Sequence, residues 1–152
     1  MPTFALSGFD DALAAVDALL ASGDVQARNG WSLARVLTHA ANGIEYSMTR
    51  YPQYKPALFR ATIGRIALRK FLRQGYMRHD RTADIPGEPT SEGRLEDAVM
   101  HFRRAVEAFR AFEGELAPHF AYGPVTKDEY ERIHAMHLAD HLGEFVARSQ
   151  AA

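Results

Sequence analysis

The chain has 152 residues, 47% hydrophobic and 24% charged, with 18 basic against 19 acidic side chains and a formal net charge of −1. That balance lies far from the composition of disordered chains and gives the chain as a whole no electrostatic pull toward nucleic acid or anionic membranes. Cysteine is absent, which excludes disulfides, thiolate metal sites and cysteine nucleophiles and leaves His, Asp and Glu to hold any transition metal.

A single domain over residues 1–152 is expected, since a chain of this length can bury a sufficient core without cross-links. A reducing, cytoplasmic setting fits the absence of cysteine. Met1 to Gly8 lacks a basic start followed by an apolar run, and no stretch approaches the eighteen or so apolar residues of a membrane span. Neither a leader nor a membrane partner is therefore expected.

Apolar spacing predicts an all-α protein. A first helix runs from about Phe9 to Leu20, with Ser7 as its cap, Ala12, Leu13, Val16, Leu19 and Leu20 on one face, and Gly23 ending it. A second opens at the N-cap Ser32, with Trp31 read as a hydrophobic staple, and carries Val36, Leu37, Ala40, Ile44 and Met48 before Pro52 stops it. A third, from about Leu58 to Leu72, is basic and interrupted by Gly64. Gly75 to Pro89 is polar and rich in Gly and Pro, longer than the usual connection between bundle helices, and reads as a crossover or lid. A fourth helix from near Ser91 to about Phe112 buries Leu95, Val99, Phe102, Val106 and Phe109. After a loop at residues 118–124, Thr126 and Glu129 form a capping box that opens a last helix reaching about Arg148. A helical bundle with one long connection is the economical architecture.

Seven histidines supply the chemistry. In the last helix His137 and His141 stand four apart, one above the other along or beside the apolar face marked by Ile133, Leu138, Leu142 and Phe145, a spacing that lets two imidazoles reach one ion. Core histidines bonded to a carbonyl show the same spacing, so a third ligand decides between the readings. His39, beside the apolar face of the second helix, is the candidate, its alternative being a satisfied core histidine. Three neutral imidazoles with an open position suit Zn²⁺, Ni²⁺ or Fe²⁺ and acidify a water or thiol that reaches the ion. A ferritin-like di-iron centre is set aside, because Glu131-Arg132-Ile133-His134 is the chain's single Glu-x-x-His pair. His134 and His119 are candidate acid/base residues. The ordinary alternative for His134 is a helix-surface histidine or one that supports a ligand, and His119 in the inter-helix loop either reaches over the metal or caps the last turn of the preceding helix. His79 and His101 read as loop and surface histidines.

Trp31-Ser32 opening a helix that carries His39, followed by His137-x-x-x-His141 near the C-terminus, resembles the DinB/YfiT-like superfamily of inferred metalloenzymes. Tyr51-Pro-Gln-Tyr-Lys-Pro56, Gly64, and His119-Phe-Ala-Tyr-Gly-Pro-Val-Thr-Lys-Asp-Glu-Tyr130 resemble one uncharacterised branch, whose members read approximately Phe-Pro-x-x-Lys-Pro and His-Pro-x-Phe-Gly-x-Leu-Thr-x-x-x-Trp. The resemblance spans Trp31 to Phe145. It departs at Phe120, where the branch has proline, and at Asp140-His141, where it has His-His. It implies a DinB-like four-helix bundle with His39, His137 and His141 on one divalent metal, and a homodimer. Characterised relatives include transferases and isomerases that use low-molecular-weight thiols.

The function expected is thus a divalent-metal-binding bundle, zinc or nickel first and iron next, acting on a small molecule as a thiol-dependent transferase. The alternatives are a metal-dependent hydrolase or a non-catalytic, dimeric metal- or small-molecule-binding bundle; a closed fourth protein ligand marks a structural site and an exchangeable water an enzyme. Between Lys55 and Arg81 stand eight basic residues and one acid, Asp80. Arg60, Arg65, Arg69 and Arg73 within it are candidates to hold a cofactor's carboxylates, against the blander reading of a solvated helix face. Nucleic-acid binding by this block is not expected, for want of interleaved aromatics in a recognised module.

Overall fold

The computed structural model describes residues 6–23, 27, 30–89 and 92–149, with side chains to residue 145. Six helices follow in chain order: α1 Phe9–Ser22, α2 Leu33–Met48, α3 Ala57–Ala61, α4 Ile63–Gln74, α5 Leu95–Ala111 and α6 Lys127–Ser149. No strand occurs among the described residues, so the fold is all-α. None of the described helices is long and apolar enough to cross a membrane.

The buried stripes are those the spacing predicts. Val36, Leu37, Ala40 and Ile44 of α2 face Val99, Phe102, Val106 and Phe109 of α5, and the α2–α5 contact is the most extensive helix pairing. α6 packs on both α1 and α2, and α4 leans on α6. One hydrophobic cluster joins these helices. Because α2 and α6 meet along their apolar faces, residues at the edge of those stripes come together 98 positions apart in sequence.

Local chemistry sets the helix ends, with some departures from expectation. Ser32 Oγ accepts from the Arg35 N–H, and Thr126 and Glu129 exchange side-chain-to-backbone bonds, the reciprocal capping box. Gly23, in the left-handed region at φ 74°, ends α1. Ser7 does not cap α1: Gly8 occupies the N-cap, and Ser7 instead donates its hydroxyl and its N–H to Asp11, whose carboxylate favours the positive end of the helix. The basic segment breaks at Thr62, not Gly64; the Thr62 hydroxyl donates to Leu58 O, an intrahelical side-chain bond that competes with helix continuation. Gly64 lies inside α4, where its bare Cα admits the carbonyl of Ala121. The start expected near Ser91 lies outside the described residues, and the helix there begins at Leu95.

Candidate metal centre

His39 comes from the middle of α2, His137 and His141 from successive turns of α6. One donor nitrogen from each lies within 4.8 Å of the others, with His39 and His141 buried and His137 half-buried. Nε2 of His39 is 3.3 Å from Nε2 of His137. The two residues four apart on α6 keep their rings 4.9 Å apart.

The three imidazoles are fixed by different surroundings. Both carboxylate oxygens of Glu88 lie 2.9 Å from His39 Nδ1. A carboxylate only accepts, so Nδ1 carries a proton, and Nε2 is the nitrogen turned toward His137. Burial pushes His137 well below its ordinary range, helped by the neighbouring His79, His39 and His141, and pushes His141 down to about 3. Both are therefore neutral near neutrality, the state a metal requires. Three imidazole nitrogens, one ring held by a buried carboxylate, match a borderline divalent cation such as zinc, nickel or iron. Asp84 and Glu88 also approach His39, forming a second group of possible donors with it. Glu88 in that position does what an orienting carboxylate does, and its side chain is only 4% exposed.

Glu88 arrives by local geometry. Ile85-Pro86-Gly87-Glu88 closes a turn in which Glu88 N–H donates to Ile85 O at 2.8 Å and Gly87 has φ 83°, as a Pro-Gly type II turn demands. The Pro-Gly pair is a legible turn signal, but its docking on α2 is a tertiary fact. His79 lies in this loop as expected, but it is half-buried and not a surface residue. His79 Nε2 is 3.1 Å from His141 Nε2, and its ring centroid is 4.4 Å from that of His137. Asp140, next to His141 on α6, accepts the His79 backbone N–H. Trp31 likewise does more than staple α2, for its indole stacks on His141 at 5.5 Å and meets His39 edge-on at 5.0 Å.

A cavity of about 330 Å³ opens beside the group. His39, His79 and His137 line one side, Tyr51, Phe120 and Tyr122 others, and Lys55 adds a cation. His119 and His134 also line it, outside the three-donor group. His119 stacks on Tyr122 at 4.2 Å, and its Nδ1 accepts from Ala121 N–H; His134 stacks on Tyr130 and approaches Ser47 Oγ at 3.3 Å. His101 keeps the surface position expected of it, paired with Glu45. Of the basic block, Arg60 donates to Lys55 O and Arg65 to the carbonyls of Tyr122 and Pro124, so these two brace the wall of the cavity. Arg69 and Arg73 are exposed on α4.

Burial lowers His134 from 6.5 to about 3 and His119 well below its ordinary value. Both are neutral in the fold, whereas the unfolded chain takes up protons below about pH 6.5. Stability must therefore fall as pH drops from about 6.5 toward 3, each such histidine contributing a slope of about 1.4 kcal/mol per pH unit while it is charged only when unfolded. In metal-free protein, urea unfolding followed between about pH 5 and 6.5 should show a slope lower by about that amount in His134→Gln than in the parent. Equal slopes would mean that His134 is protonated in the fold.

Residues 3–148 match a family described as "Protein of unknown function (DUF1569)", and the chain belongs to that family. No curated protein and no solved structure matches it.

Proposed function

We propose that this member of the DUF1569 family is a divalent-metal-dependent enzyme of the DinB/YfiT-like type, a four-helix bundle in which His39, His137 and His141 hold one ion and the adjoining cavity takes a small-molecule substrate. One observation carries the reading: three imidazole nitrogens from two helices lie within 4.8 Å of one another, beside a cavity of about 330 Å³. A structural site has no use for an adjoining cavity with aromatic walls and a lysine.

Bound there, a divalent ion supplies Lewis-acid polarisation and acidifies a thiol or water. The chain's own residues do the rest. Glu88 fixes the ring of His39, and burial keeps His137 and His141 unprotonated. Tyr51, Phe120 and Tyr122 exclude water and favour a flat apolar body, while Lys55 receives an anionic group. With Arg60 and Arg65 committed to backbone carbonyls, Lys55 takes the role of carboxylate anchor for a low-molecular-weight thiol. Transfer to or from such a thiol is the reaction class we assign, and hydrolysis by the same centre is the alternative. The exposed Leu58, Ile63 and Ile66 of α3 and α4 support a homodimer.

The sole tryptophan, Trp31, touches two of the proposed ligands and is the natural probe. Zinc added to metal-free protein should shift its emission and saturate at one equivalent. Free cysteine, as a carboxylate-bearing thiol, should then cause a second shift that requires zinc and weakens in Lys55→Ala. If zinc saturates but no thiol or ester is bound or consumed, the enzyme reading fails and a non-catalytic metal-binding bundle takes its place.

A further inference from the structure

We propose that His79 is a fourth protein ligand of the same ion, carried to the centre by the connection between α4 and α5 and positioned by Asp140. The proposal rests on the reading above, that the three helical histidines bind a metal. Its first support is distance. The His79 ring lies 4.4 Å from that of His137 and 4.7 Å from that of His141, nearer than the three helical rings lie to one another, at 4.9 to 5.3 Å.

The second support is the anchoring of the segment. Asp140 Oδ2 accepts the His79 backbone N–H at 3.1 Å and stands 2.8 Å from His79 Nδ1, an ion-pair distance with the ring N–H directed off the line. Two residues on, Arg81 pairs with Glu144 at 2.5 Å. Asp140 and Glu144 are one helical turn apart, so α6 holds residues 79–81 with two carboxylates on one face. Nothing about a plain crossover requires such a grip. Asp140 thus places a carboxylate beside His79 Nδ1, as Glu88 does beside His39, but grips the segment through the backbone N–H rather than through the ring, and His79 Nε2 is the nitrogen nearest His141.

The third support is a pairing of ring nitrogens. Nε2 of His79 faces Nε2 of His141 at 3.1 Å, and Nε2 of His39 faces Nε2 of His137 at 3.3 Å. Two imidazole nitrogens approach this closely only with a proton or a cation between them. One divalent ion held by the four residues would meet both pairs, and four nitrogen ligands are a set that zinc accepts. His79 is not among the three donors that lie within 4.8 Å of one another, and it is the one proposed ligand not on a helix. Held by a connection and not by a helix, it would be the one of the four ligands able to move without disturbing the packed helices.

Cobalt(II) loaded into the metal-free protein reads the donor set directly, without any assay of activity. The parent should give an intense four-coordinate visible band that added imidazole leaves unchanged. In His79→Ala and His79→Gln the band should change, free imidazole should restore the parent spectrum in the alanine variant, and zinc affinity should fall about tenfold or more. Asp140→Asn should keep the parent band while weakening affinity, the mark of a positioning residue. A His79→Ala band identical to the parent's, or a parent centre as open to imidazole as the variant, would overturn the proposal while leaving the three-histidine reading intact. A parent that takes up no cobalt would overturn both. Circular dichroism identifies a variant that fails to fold, and His79→Gln, which keeps a polar side chain of similar reach, then decides.

Discussion

Zinc affinity is expected to fall by about a hundredfold or more in His137→Ala, and by more than in any variant of a residue that only orients a ligand. The ring of His137 occupies the middle of the group, 4.9 Å from His39, 4.9 Å from His141 and 4.4 Å from His79. Structural zinc sites contribute roughly 10–16 kcal/mol, so one ligand of four carries about 3 kcal/mol, or some two orders of magnitude in affinity. Removing an orienting carboxylate such as Glu88 costs about ten- to a hundredfold. Competition with a chromophoric chelator measures the constant. The metal-free variant should remain folded, because truncation relieves the cluster of a desolvated polar ring. Affinity equal to the parent's would place the ion elsewhere, with the Asp84 and Glu88 group as the next candidate.

Gly64→Ala should destabilise the fold by about 2 kcal/mol or more, although alanine in a helix is ordinarily about 1 kcal/mol better than glycine. A Cβ at this position would lie 1.8 Å from the carbonyl oxygen of Ala121 and 2.9 Å from its carbon. Both partners are backbone and neither can yield. The loop that carries Ala121 is pinned by Lys55 N–H on Phe120 O, by Arg65 on Tyr122 O, and by the paired His119 and Gly123 backbones. Displacing it would also move Phe120 and Tyr122 out of the cavity wall. Gly143→Ala in α6 is the control: nothing lies within 4 Å of the added methyl, so helix propensity alone should act and stability should rise by up to about 1 kcal/mol. Urea denaturation of the two variants should thus give shifts of opposite sign, and a neutral or stabilised Gly64→Ala would mean that α4 does not dock so closely on this loop.

What was legible in the chain is what local physics decides. The stripes of α2, α5 and α6 follow from apolar spacing, and the capping box at Thr126 from a four-residue pattern. His137 and His141 share a face because 3.6 residues make a turn. His39 was visible for a related reason, since a histidine at the edge of one buried stripe meets a partner at the edge of another when the two stripes pack. Glu88, Asp140 and His79 were not visible in those roles. Their effect depends on where an irregular connection lies across two helices, and no period or cap encodes that. The Pro86-Gly87 turn was readable as a turn, but its register on α2 was not. Arg65 shows the same limit from the other side: charge density suggested a ligand for carboxylates, whereas its guanidinium is taken up by the backbone carbonyls of a neighbouring loop.

The most direct measurement is the metal content of the purified, untagged protein, beside His39→Ala, His137→Ala and His141→Ala. One equivalent of a divalent transition metal per chain in the parent, lost from each variant, is the predicted result. A parent that retains no metal after incubation with zinc, nickel or iron(II) would contradict the account, and the histidine group would then be a packing feature of a non-catalytic bundle.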